Sequence, residues 1–104
     1  MNLTFSKFKS FTIESGYRIL KVFQFGAKTA RESMPFGIDS VPLSDMIAIF
    51  GSTSENGDNV IVGYINVNQV AQIGESRLYS IDPNSGDLSF HIHLKTDGTC
   101  EIGG

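Results

Sequence analysis

The clearest signal along this chain is an alternation of apolar and polar positions with period two, which is the repeat of a β-strand. Residues Tyr17–Phe25 follow it between two glycines, with Tyr17 and Phe23 on the same face. His91–Lys95 alternates strictly and closes on an Asp-Gly turn, after which a strand begins again at Thr99–Ile102. These segments predict short strands separated by glycine-bearing turns.

Further strands are predicted by runs that are rich in apolar residues. Met46–Phe50 is apolar throughout, and Asn59–Val67 is the longest β-branched run. The polar segment Gly51–Asp58, which contains an Asn-Gly pair, separates them, so we expect a β-hairpin. Two more strands, Glu75–Ile81 and Asp87–Lys95, flank a turn that carries a proline and a glycine.

Two segments do not fit a simple meander of strands. Ala27–Ser33 is the only helical candidate, as a short helical turn. Met34–Leu43 contains two prolines, so we expect an ordered loop or an edge segment, packed by Phe36 and Ile38. Five or six short strands without an amphipathic helix predict an all-β fold: a small OB-like barrel with extended C-terminal strands.

Length and composition favour a folded domain. The 104 residues are 40% hydrophobic and 18% charged, which argues against disorder. We expect a single domain over residues 1–104, with the barrel over about 15–72 and an extended β segment over about 73–104. Cys100 is the only cysteine and cannot form an internal disulfide, and we expect it to be a small buried side chain. The N-terminus lacks the apolar run of a secretory signal, and no segment has the length of a membrane span.

Charge and motifs exclude several classes of function. The net charge is −3, whereas a nucleic-acid binder normally carries a basic stripe. Six of the eight basic residues lie in the first third of the chain, where we interpret them as solvated surface charge. A single-strand binder of the OB type stays a third alternative that needs a basic groove with exposed aromatics. No nucleophile, phosphate-binding or metalloprotease motif occurs, so we expect no enzyme.

Five segments, in order, resemble a known family. Pro35–Pro42 is similar to the aromatic-Gly segment of Mu-type phage baseplate spike proteins, and Asp45–Phe50 to the strand that follows it. Val60–Ile65 resembles the next strand, and Gly74–Tyr79 the Gly-Glu-x-x-Leu-Tyr segment. His91–Ile102 resembles the closing strand, with its Asp-Gly turn.

This resemblance implies an OB-type barrel followed by an intertwined trimeric β-helix, in the spike beneath a contractile phage tail. It implies a structural role in the virion, assembly in the host cytoplasm, other tail or baseplate proteins as partners, and contact with the host cell surface. Because the chain stops where the β-helix would begin, we expect a short hub, plug or adaptor rather than a long needle. The apolar side chains expected to contact one another across the trimer axis are Leu78, Ile81, Leu88, Phe90, Ile92, Leu94 and Ile102.

Two sets of residues offer other chemistry. His91 and His93 point the same way from one strand, so six imidazoles from three chains would surround a metal ion if that face lay on the trimer axis. The simpler interpretation is that both are ordinary surface histidines. Apart from this possible metal ion, we expect no cofactor. The alternative function is a receptor- or glycan-binding module, with Tyr64, Tyr79 and the loop Ser52–Asn59 as its surface.

Overall fold

The computed structural model describes residues 2–23, 26–53 and 58–104, which form eight β-strands and no helix. The predicted all-β class is therefore confirmed. In this part of the chain there is accordingly no helix that could span a membrane. The chain divides into two compact units, Met1–Val67 and Asn68–Gly104, whereas the sequence suggested a division near residue 72.

The first unit is a closed five-stranded barrel. Its strand order is β1-β2-β3-β5-β4, and the pairing of β1 with β4 closes the ring. The β3–β5 pairing is parallel and all others are antiparallel, which gives the five-stranded Greek-key arrangement of an OB-type barrel. The strands are β1 (Asn2–Glu14), β2 (Tyr17–Phe23), β3 (Ala27–Glu32), β4 (Ile47–Ser52) and β5 (Asn59–Tyr64).

The core of the barrel comes from the inner faces of all five strands. On β2 the inner positions are Leu20 and Val22, which are fully buried, so the aromatic face of Tyr17 and Phe23 points outward. Small side chains at Ala30 and Ala48 leave room for the larger ones in this narrow interior. Among the described residues, the buried hydrophobic ones are Phe8, Leu20, Val22, Ala30, Ala48, Phe50 and Ile61.

Two barrel strands differ from the sequence expectation. The helical turn near Ala27–Ser33 is wrong, because β3 pairs with β2 on one side and β5 on the other, and these pairings outweigh helix propensity. The strand β1 lacks a simple alternation because its apolar side chains change faces. Phe5 is exposed and Phe8 is buried, and the β1–β2 register shifts between Phe8 and Ser10.

The connections in the barrel are loops, as expected, but the loop after β3 is held mainly by hydrogen bonds rather than by apolar packing. The segment after β3 lies outside the sheet. Phe36 is fully exposed and does not pack it, whereas Ile38 is 43% exposed and so is partly covered. Hydrogen bonds from Arg18 to Asp39 and to the Ser40 carbonyl hold it instead. The β4–β5 hairpin is confirmed. The expected turn at Asn56–Gly57 and the strand end at Phe25 lie outside the described residues.

The second unit is a three-stranded antiparallel meander in the order β6-β7-β8. Its strands are β6 (Ser76–Ile81), β7 (Leu88–Leu94) and β8 (Cys100–Gly103). Asp82 closes the first turn, since its amide donates to the Asp87 carbonyl and its carbonyl accepts from Gly86. In the second turn the Asp97 carboxylate accepts from the amide of Thr99. The strands predicted from the sequence in this region are present, each within about a residue of its expected ends.

Candidate assembly interface

The register of the C-terminal sheet places an apolar row across all three strands. Ile92 on the central strand lies opposite Leu78 on β6 and opposite Ile102 on β8. Side chains directly opposite one another share a face of the sheet, so these three form a continuous row. Leu94 and Phe90 flank Ile92 at alternate positions and extend the same face. We call this surface, made of Leu78, Phe90, Ile92, Leu94 and Ile102, the apolar face.

The apolar face is open to solvent in the single chain. Leu78 is 62% exposed and Ile102 is 64% exposed, at the two outer strands of the row. Phe90, Ile92 and Leu94 on the central strand are also exposed. Contiguous exposed apolar surface of this kind marks an interaction site in a soluble protein. Five of the seven residues expected at a trimer axis thus lie together on one surface.

The other two expected contact residues, Ile81 and Leu88, lie at the end of the sheet. They oppose each other beyond an irregularity between Ser80 and Ile81, and both are half-buried. Cys100, by contrast, is exposed, so the expectation of a buried thiol is wrong for the single chain. It lies opposite Leu94 and therefore on the apolar face.

The C-terminal unit has no buried hydrophobic side chain among the described residues. The seven buried hydrophobic residues in the described part of the chain all belong to the barrel, and after residue 67 the only residue that is buried as a whole is the polar His93. A sheet normally buries one face against another element of structure. The C-terminal sheet has an apolar face suited to such burial, but no strand or loop of its own unit covers that face.

The opposite face of this sheet is polar and internally paired. His93, 6% exposed, places Nε2 2.9 Å from Oε1 of Glu75, and the same oxygen accepts from the Gln72 amide at 2.9 Å. These contacts lower the pKa of Glu75, the Gln72 hydrogen bond first and His93 second. Because an ionised carboxylate only accepts hydrogen bonds, Nε2 of His93 carries its hydrogen in this pair.

His91 has a separate carboxylate partner. Its Nε2 lies 3.1 Å from Oε1 of Glu101, and Lys95 approaches the other oxygen at 3.6 Å. The His91 hydrogen bond and, after it, Lys95 lower the pKa of Glu101. Arg77 lies on the same face, where it donates to Asn68 and stacks over the Tyr79 ring with 4.5 Å to the centroid.

The two histidines therefore share a face, as predicted, but each is occupied by its own carboxylate. No group of three or more metal-ligating side chains occurs within residues 2–23, 26–53 and 58–104. The metal site across a trimer axis stays a prediction, and it competes with the apolar face, because the two surfaces lie on opposite sides of one sheet. Glu75 and Glu101 were not predicted as partners, because strand alternation does not indicate which loop or neighbouring strand covers a histidine.

A second polar cluster lies at one end of the barrel. Arg18 contacts Glu32 at 2.9 Å and Asp39 at 2.8 Å, and the Tyr64 hydroxyl donates to the other oxygen of Glu32. Burial, and next the hydrogen bond to Glu32, raise the pKa of Tyr64. Phe11 lies under the Arg18 guanidinium, 5.6 Å from ring centroid to Cζ. With its hydroxyl engaged and its ring against the core, Tyr64 is a structural residue of this cluster.

The two tyrosines expected on the surface of a receptor- or glycan-binding module belong to different units: Tyr64 lies in the barrel and Tyr79 in the C-terminal sheet. Tyr79 is half-buried and stacks with Arg77. Comparison of the chain with protein-family models, with curated protein sequences and with solved structures found no match. The structure defines an OB-type barrel joined in sequence to a sheet with one open apolar face.

Proposed function

We propose that this chain is a structural subunit of a phage tail, a spike-type, hub or adaptor protein that forms a homotrimer. The observation that carries the proposal is the C-terminal sheet, which exposes its apolar face and has no hydrophobic core of its own among the described residues. Three such sheets facing a common axis would bury their apolar faces against one another. The family resemblance of residues 34–102 supports the same arrangement.

In this arrangement the work is mechanical rather than catalytic. The barrel docks on other tail or baseplate proteins, and the C-terminal sheets hold the three copies together and contribute to host attachment or envelope penetration. The virion is the expected location, after assembly in the host cytoplasm. The polar face, with His91 and His93 in pairs with Glu101 and Glu75, then lies on the outside of the trimer, away from the axis.

The molar mass in solution tests the assembly directly. We expect light scattering coupled to size exclusion to give three times the 11.3 kDa chain mass, independent of concentration in the micromolar range. A mass of two chains would favour two sheets packed face to face. A monomer at all concentrations would contradict the proposal and favour the receptor- or glycan-binding alternative.

A further inference from the structure

The outer face of β2 carries aromatic and cationic side chains in one line. Since Leu20 and Val22 fill the barrel, the alternate positions Tyr17, Lys21 and Phe23 point outward. Tyr17 is 63% exposed and Phe23 is 53% exposed. Consecutive outward positions are about 7 Å apart along a strand.

The neighbouring strands add two more cations to this face. Lys7 on β1 lies opposite Phe23, and Arg31 on β3 lies opposite Ile19, which is itself an outward position. We call the surface made of Lys7, Tyr17, Lys21, Phe23 and Arg31 the β2 strip.

The cations of the β2 strip are largely free to bind an anion. In the described part of the chain Lys7 and Lys21 have no ion pair within 4.0 Å, and Arg31 has only an exposed contact of 3.5 Å with Asp58. Such exposed pairs contribute little. Among the described residues of β1, β2 and β3, Glu14, opposite Tyr17, is the one carboxylate at an outward position, and it lies at the end of the strip.

The net charge of the chain does not describe the barrel. Residues 1–67 contain six basic and six acidic side chains, whereas residues 68–104 contain two basic and five acidic ones. The difference of −3 therefore belongs entirely to the C-terminal unit. The expectation that the chain avoids nucleic acid depends on a charge that is absent from the barrel.

We propose that the β2 strip binds single-stranded nucleic acid. Its aromatic rings offer faces on which bases stack, and its cations lie where phosphates of a strand along β2 would pass. Stacking on aromatic rings tolerates any base, so the binding is not sequence-specific. A neutral sugar polymer fits less well, because it offers no negative charge to the three cations of the strip. This inference concerns the barrel and does not depend on the proposed trimer.

Fluorescence anisotropy with a labelled oligothymidylate of about 12 nucleotides tests the binding. Three cations that neutralise three phosphates predict a slope of about −2 for the logarithm of the affinity against the logarithm of the salt concentration. Affinity should accordingly fall roughly 20-fold between 50 and 200 mM salt.

Matched variants identify the surface. Lys21→Ser should reduce the salt slope by about 0.7. The control Lys28→Ser removes the same charge from β3, where Lys28 lies opposite the buried Val22 and so on the other side of the sheet; it should leave the slope unchanged. Phe23→Ala should weaken binding at least about fivefold, whereas Phe36→Ala, at an exposed phenylalanine in a loop, should not.

Three outcomes would overturn the proposal. One is no anisotropy change at 50 mM salt with the protein at several hundred micromolar. Another is an equal loss in Lys21→Ser and Lys28→Ser, or in Phe23→Ala and Phe36→Ala, since binding would then not use this face. The third is dextran sulfate binding as tightly as the oligonucleotide with Phe23→Ala unaffected, which would indicate unspecific attraction of a polyanion. Circular dichroism of each variant shows whether the fold is intact.

Discussion

At the scale of single residues, removal of the Tyr64 hydroxyl tests whether the polar cluster at the end of the barrel stabilises the fold. It donates to Glu32, whose side chain is only 8% exposed and whose other oxygen binds Arg18. Tyr64→Phe would leave one carboxylate oxygen without its donor in a place that water hardly reaches. We expect a loss of about 1–2 kcal/mol in the free energy of unfolding, measured by urea denaturation.

The matched control for this change is Tyr17→Phe. Tyr17 is exposed on the outer face of β2, and its hydroxyl has no hydrogen bond among the described residues. Its loss should change the free energy of unfolding by less than about 0.5 kcal/mol. Equal effects in the two variants would show that the Tyr64–Glu32 hydrogen bond does not stabilise the barrel.

A second residue-scale prediction concerns pH. Folding lowers the pKa of Glu75 below its ordinary value of 4.5, through the Gln72 hydrogen bond and then His93. A carboxyl group with a lowered pKa stabilises the fold above its unfolded pKa, and this contribution disappears as the pH falls through the folded pKa. Melting temperatures between pH 3 and pH 7 should therefore separate Glu75→Gln from the wild type near neutral pH and converge in acid.

Asp87→Asn is the control for this titration. The Asp87 carboxylate makes no hydrogen bond or ion pair in the described part of the chain, so its replacement should shift the melting temperature by a small, pH-independent amount. A difference for Glu75→Gln that persists at pH 3 would instead point to lost shape or packing, and the proposed charge effect would be wrong.

At the scale of elements, β2 shows what decides which face of a strand is buried when both faces carry apolar side chains. Its two faces are both apolar in part, with Leu20 and Val22 on one and Tyr17 and Phe23 on the other. The structure buries the aliphatic face: the rings of Phe8 and Phe50 already lie in the narrow barrel interior, and Leu20 and Val22 fill it alongside them. We expect Leu20→Ala to lower the free energy of unfolding by about 2–5 kcal/mol and Phe23→Ala by less than about 1 kcal/mol. Urea denaturation of both variants measures these losses. A larger loss in Phe23→Ala than in Leu20→Ala would contradict the burial of the aliphatic face.

Most strands were predictable from the sequence, and the exceptions have physical reasons. The β4–β5 hairpin and the C-terminal meander follow from apolar runs and turn residues, which act locally. The β1 strand escapes prediction because a register shift moves its apolar residues from one face to the other. The β3 strand escapes it because Ala27–Glu32 has residues with high helix propensity, and only its two neighbours make it a strand.

The candidate interface was predictable only in part, because alternation assigns side chains to the two faces of a strand but does not indicate which face is open. Alternation places Phe90, Ile92 and Leu94 on one face of a strand and His91 and His93 on the other, from sequence alone. It does not say which face is covered. The segment before β6 supplies Glu75 to His93, so the polar face is the paired one and the apolar face is open.

At the scale of the whole molecule, the two units differ in how they are stabilised. The described part of the barrel buries seven hydrophobic side chains, whereas residues 68–104, all of them described, bury none. A sheet of three strands needs a covered hydrophobic face to be stable. The most economical source of that cover is further copies of the same apolar face, since identical sheets provide surfaces of equal size and polarity. The sheet would then be ordered by assembly rather than by a core of its own.

A substitution at the centre of the apolar face tests whether further copies of the chain cover the C-terminal sheet. Ile92→Asp places a carboxylate between Leu78 and Ile102, so assembly would bury an unpaired charge, and we expect the trimer mass to fall to that of a monomer. Cys100, on the same face, provides an internal reporter: it should react slowly with maleimide in the wild type and quickly in Ile92→Asp. Ser89→Asp adds the same charge to an exposed polar position of the same strand that is not part of the apolar face, and it should leave both mass and thiol reactivity unchanged. Fast reaction of Cys100 in a wild-type trimer would place the interface elsewhere, because a thiol inside the packed apolar faces would be shielded from the reagent.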